Sequence, residues 1–158
     1  EMGIRDRFLS WAASDLLCYR AAEPPELRRE QDHLWNPVLD QAARAYGARM
    51  SVTDGILPIS QSPECLARLS AALHALSDAD LAALGVAIPA CGSFILGLAV
   101  ITGQVSPEAA TEAASVDERY QMARWGEDHG ITDRLATMRT DLEEAYLFAS
   151  LAAKKMRE

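Results

Sequence analysis

The side chains able to do chemistry gather in a few short strings, and the spacing within each string limits what it can do. Cys18 stands beside Tyr19 and Arg20, a setting in which a guanidinium can hold a thiol as its thiolate. The expectation is instead a cysteine buried as a small hydrophobe. Glu127, Asp128, His129 and Asp133 form the densest set of metal-ligand types. Consecutive helical side chains fan out by about 100°, so the first three do not easily converge on one ion. A solvated acidic helix end is the better reading. His33, His74 and His129 are never four residues apart, so the sequence holds no helix-borne zinc pair. The carboxylate pairs Asp117-Glu118 and Glu143-Glu144 are adjacent, the wrong geometry for a general acid and base sharing a site on a helix. No phosphate-binding glycine loop and no G-x-S-x-G elbow occurs. These patterns give catalysis, a metal and a cofactor no positive support.

Two polar-aromatic strings remain. One is Ser14-Asp15-Leu16-Leu17-Cys18-Tyr19-Arg20. The other is Asp117-Glu118-Arg119-Tyr120-Gln121, followed by Trp125-Gly126-Glu127-Asp128. Both interrupt alanine- and leucine-rich helical sequence with groups that core packing does not call for, which is the composition of a binding surface. Trp35 and Trp125 each have two readings. Either is a core or rim residue whose indole N–H finds a carbonyl, or an anchor of a protein interface, where Trp, Tyr and Arg are enriched. Gly126 sharpens the second reading for Trp125, because a glycine in or ending a helix costs up to ~1 kcal/mol against alanine and implies a turn or a close approach.

The elements that must carry these strings are helical. The chain has 158 residues, 49% hydrophobic and 24% charged, which fits one globular domain over 1–158 that buries roughly 70% of its unfolded surface. A net charge of −8 with scattered basic residues argues against nucleic acid. Three cysteines without C-x-x-C spacing point to a reduced compartment rather than a disulfide framework. The chain starts at Glu1, without an initiating methionine or a signal-peptide pattern, so a fragment is expected.

Apolar spacing predicts a first helix over residues 4–17, broken by Pro24-Pro25. A second runs from about Glu26 to a stop at Gly47, and Pro37 either kinks it or begins a new helix capped by Asn36. Residues 48–62 are irregular, with at most a short extended segment near 48–60. Ser62-Pro63 and Ser77-Asp78 open two further helices. Leu81 to Gly103 carries no charge. Pro89 and Gly92 within it, acidic flanks and the lack of Lys or Arg anchors make it the buried central helix pair of a bundle rather than a membrane span. Ser106-Pro107 caps another helix. Ser115-x-x-Glu118 reads as a capping box, Gly130 as a stop and Thr132 as the cap of a long last helix. The fold class is therefore all-α, a compact multi-helix bundle.

Taken in order, Asp15-Leu16-Leu17-Cys18-Tyr19-Arg20 with Pro24, Trp35-x-Pro37, Tyr46-Gly47, Gln61, the apolar helix with Ser93, and Asp117-Glu118-x-Tyr120-Gln121-x-x-x-Trp125-Gly126-Glu127 resemble a known family. It is the assembly chaperones of the F-type ATP synthase that bind the α subunit of the catalytic head. The likeness spans almost the whole chain. Two positions depart from the pattern: Asn36 stands where the family usually has Asp, and the segment after Asp128 lacks an Ala-His-Asp continuation.

The resemblance implies a non-catalytic protein corresponding to the helical C-terminal part of a two-part chaperone, whose β-rich N-terminal domain is absent from this chain. Its partner would be the unassembled α subunit, whose β-contacting surface it would shield until the β subunit replaces it. It would need no cofactor, metal, small-molecule substrate or nucleic acid. It would reside in a bacterial cytoplasm or a mitochondrial matrix. Glu118, Tyr120, Gln121, Trp125, Gly126, Glu127 and Asp128 are the expected partner-binding residues. Asp15, Arg20, Trp35 and Pro37 are the expected structural motif. The competing reading is a homo-oligomeric helical scaffold.

Overall fold

In the computed structural model, which describes residues 3–157, eight α-helices carry the fold, and a two-stranded parallel pair is the only sheet among the described residues. The all-α expectation holds. Helix α1 (Ile4–Ala13) buries Phe8 and Ala12. It stops four residues short of the Leu17 end that the spacing predicts, and the reason is local. The Asp15 carboxylate accepts the Leu17 N–H at 3.0 Å, and a 3-10 turn over Leu16–Cys18 forms instead. Short polar side chains compete with the helix for backbone donors in this way. Strand β1 (Tyr19–Arg20) then pairs in parallel with β2 (Thr53–Asp54), Tyr19 opposite Thr53 and Arg20 opposite Asp54. This is the brief extended segment expected near 48–60.

Helix α2 (Pro25–Tyr46) continues through Pro37 and ends on Gly47. Asn36 does not cap a new helix there; its Oδ1 accepts from Arg20 at 2.9 Å. Pro37 is exposed, so water can reach the carbonyl that loses its amide partner. Helices α3 (Pro63–His74), α4 (Asp78–Cys91), α5 (Phe94–Ile101) and α6 (Pro107–Ala114) follow. Ser62, Ser77, Ser93 and Ser106 each accept an N–H from three residues on, at 3.0 to 3.1 Å, and a cap of this kind contributes about 1 kcal/mol.

The charge-free run becomes α4 and α5, and every residue of α5 is buried. Gly97 lets the pair close up. A Cβ at that position would lie 3.0 Å from Ile88 Cγ1 and 3.2 Å from the Ile88 backbone N. Helix α7 (Val116–Trp125) packs on α2, and α8 (His129–Arg157) lies along α4 and crosses α5 and α6. No helix among the described residues is long and apolar enough to cross a membrane.

Two expected caps do not form. The Ser115 hydroxyl donates back to Thr111 O at 2.7 Å, so no capping box closes onto Glu118. The last helix starts at His129, ahead of Thr132. Asp128 Oδ1 accepts from the amides of Gly130 and Ile131 at 2.8 and 3.2 Å, and a carboxylate suits the positive end of a helix. Gly130 therefore lies inside the first turn of α8, and the true stop is Gly126, at φ 100°.

Candidate functional site

The first polar-aromatic string turns mostly inward: Asp15, Leu17, Cys18 and Arg20 are buried and Leu16 and Tyr19 half-buried, while Ser14 is exposed. Asp15 is fully buried. Besides Leu17 N–H, its carboxylate accepts from Ser93 Oγ at 2.7 Å and Ile95 N at 2.9 Å, so it sits on the amide end of α5. Burial pushes its pKa up, and the donors from Ile95, Leu17 and Ser93 pull it back.

Arg20 is 3% exposed. Its Nε donates to Leu17 O at 2.8 Å, and Nη1 donates to Asp32 at 2.7 Å and to Asn36. Its guanidinium stands 5.3 Å from the centroid of the Trp35 ring. The Trp35 indole N–H donates to Ala113 O at 2.6 Å, which is the packing reading of that tryptophan. Asp32 also accepts from Arg28 at 2.8 Å, and Arg28 reaches on to Asp54 of β2. Desolvation works to raise the Asp32 pKa, but hydrogen bonds from Arg28 and Arg20 outweigh it and hold the carboxyl below its ordinary value. The string thus ties the 3-10 turn, α2, β2 and α5 together. Cys18 is wholly buried, and burial first, then the neighbouring Asp15, pushes its thiol up to about 12. An activated thiolate is incompatible with that environment.

The second string is displayed outward. Helix α7 is tied to α2 by Gln31 Nε2, which donates to Asp117 Oδ1 at 2.9 Å. At the far end of α7, Trp125 is 79% exposed. Arg124 stands 5.7 Å from the centroid of its ring and donates to the Tyr120 hydroxyl at 3.3 Å. Gln121, Gly126, Glu127 and Asp128 are exposed as well. Glu118 is half-buried and pairs with Arg134 of α8 at 3.4 Å. Asp128 is committed to the start of α8, as described above. Of the seven residues expected on the surface, Gln121, Trp125 and Glu127 are the exposed ones whose side chains make no hydrogen bond or ion pair among the described residues.

Beside Trp125 lies an open cleft of about 770 Å³, walled on one side by Tyr120, Gln121 and Trp125 and on the other by Glu23, Pro24 and Leu27. The α2 wall escaped sequence reasoning. Its signal was Pro24-Pro25, read only as a helix breaker, although prolines also make rigid apolar docking faces. Among the described residues, no three His, Cys, Asp or Glu groups are placed to hold a metal ion. An open, aromatic and partly acidic cleft is suited to docking another chain.

No protein-family profile matches the chain. The crystal structure of Atp12 from Paracoccus denitrificans superposes with a TM-score of 0.89 at 33% identity, covering 94% of this chain and 64% of that one. The Atu1473 protein of Agrobacterium tumefaciens gives a TM-score of 0.84 at 34% identity over 92% of this chain and 55% of that one. In sequence, the mitochondrial protein atp12 of Schizosaccharomyces pombe is 29% identical over 104 residues, 64% of this chain and 36% of that protein. The chain thus spans less than two thirds of the length of each of these relatives. By sequence and by structure it is homologous to Atp12, an ATP synthase assembly chaperone.

Proposed function

We propose that the chain works by binding alone, as an assembly chaperone that holds the unassembled α subunit of the ATP synthase catalytic head. The observation that carries this reading is Trp125, a large aromatic left 79% exposed at the end of α7, beside a cleft and on the fold of Atp12. Tryptophan is enriched among the few residues that dominate interface energetics. A rim of Glu127, Gln121 and Tyr120 around it matches the usual pattern of an apolar anchor within a polar border. An unassembled subunit exposes apolar surface that invites aggregation, and a transient cover needs an interface of only about 1,200–2,000 Å² that the permanent partner can displace. The β subunit is that displacing partner. The setting is a bacterial cytoplasm or a mitochondrial matrix. The test is exchange: the immobilised chain should retain purified α subunit and release it when β subunit is added. Retention of β but not α would overturn the reading.

A further inference from the structure

A second exposed surface lies away from the cleft, on the C-terminal half of α8. Leu147, Phe148 and Leu151 are each more than half exposed, and Val86 of α4 is 46% exposed. Phe148 lines a shallow groove of about 320 Å³ with Ala82, Ala83 and Val86 of α4. At about 100° per residue, Glu144, Phe148, Leu151 and Lys155 fall on one strip within about 60° of arc, with Leu147 at its border. The strip is flanked but not covered, since the buried face of α8 is formed by Met138, Leu142, Ala145 and Ala149.

The order of residues along this strip decides what fits it. Reflected about the midpoint between Ala149 and Ser150, Glu144 exchanges with Lys155 and Phe148 exchanges with Leu151. An antiparallel copy of the same helix therefore meets acid with base at both ends and apolar with apolar in the middle. This is the self-complementarity that a two-fold interface requires. Both charges are available for it: Glu144 and Lys155 are exposed and take part in no ion pair among the described residues. An unrelated partner would need no such reversal of charge about a centre.

We infer that this strip is a two-fold docking surface for a second copy of the chain. Two α8 helices run antiparallel, the second copy's Leu151 seats beside Phe148 at the α4–α8 groove, and Glu144 pairs with the second copy's Lys155 at each end. The overlap is confined to Glu144–Lys155, in the C-terminal half of α8, whereas Trp125 lies just ahead of its N-terminal end at His129. Four side chains per copy are far fewer than the roughly 20–30 residues a side of a standard interface, so the expected association is weak and concentration-dependent.

Sedimentation equilibrium of the chain over about 1 to 500 µM tests this. The expected result is a reversible monomer–dimer equilibrium that Leu151→Asp abolishes with an unchanged circular dichroism spectrum. Glu144→Lys and Lys155→Glu should each weaken dimerisation about tenfold, which is ~1.4 kcal/mol, and the two together in one chain should restore it. A monomer at every concentration would overturn the inference. So would a dimer indifferent to Leu151→Asp, or a double charge swap that loses affinity additively.

Discussion

Arg20 is the residue on which the contacts of the interior string converge. Removing its side chain strands Leu17 O and uncovers one face of Trp35, while Asp32 keeps only Arg28. Arg20→Ala should therefore destabilise the fold by about 1–3 kcal/mol, read from chemical denaturation, and should leave partner capture by the folded fraction intact. The carboxylate it pairs with sets a pH dependence. The Asp32 pKa is depressed in the fold, so its stabilising contribution is present above the unfolded value and is lost as pH falls through the folded one. The stability difference between the parent chain and Asp32→Asn should accordingly narrow below about pH 4. The thiols make a third test at this scale. Burial pushes both Cys18 and Cys91 up to about 12, so a thiol reagent at about pH 8 should label neither in the native chain and both after unfolding.

At the scale of elements, the architecture was largely legible. The charge-free run and the Ser-Pro and Ser-Asp signals placed α3 to α6, because a cap and an apolar run are both written in contiguous residues. The two caps that fail share one cause. Ser115 and Thr132 have the right side chains for caps, but each hydroxyl donates to a carbonyl four residues back, a choice that depends on the preceding turn. Asp15 was recognised as part of a motif, yet its bonds to Ser93 and Ile95 cross about eighty residues of sequence, and no local pattern encodes them. The Trp125 cleft was half legible for the same reason: α7 announced itself through its aromatics and acids, whereas its α2 wall depends on how two distant helices dock. The close approach of α4 and α5 at Gly97 offers a direct check. Gly97→Ala would place a methyl against Ile88, and a destabilisation of about 1–3 kcal/mol is expected from such overpacking. A melting temperature that stays unchanged would show that α4 and α5 can separate without cost.

Across the whole molecule, polar groups divide between two duties. One string is consumed inside, where Asp15, Arg20 and Trp35 join the first turns of the chain to α2, α5 and α6. The other is presented outside on α7, and it is this division that a binding protein needs: a fixed frame and a free face. The superposition on Paracoccus Atp12 extends over 94% of this chain. We propose that the α7 face captures the α subunit while contributing little to folding. Glu127 is the residue that isolates it, being exposed and free of the capping and ion-pair duties that complicate Asp128 and Glu118. Trp125 supplies the larger signal. The decisive measurement is the affinity of the chain for purified α subunit, taken for Glu127→Ala and Trp125→Ala beside their thermal midpoints. Solvated surface changes of this kind rarely shift stability by more than ~0.5 kcal/mol, so both variants should melt like the parent. Trp125→Ala should lose at least about tenfold in affinity, and Glu127→Ala a smaller but measurable amount. Undiminished capture by both variants would show that α7 is not the capture surface, and unfolding of both would show that these residues serve the fold instead.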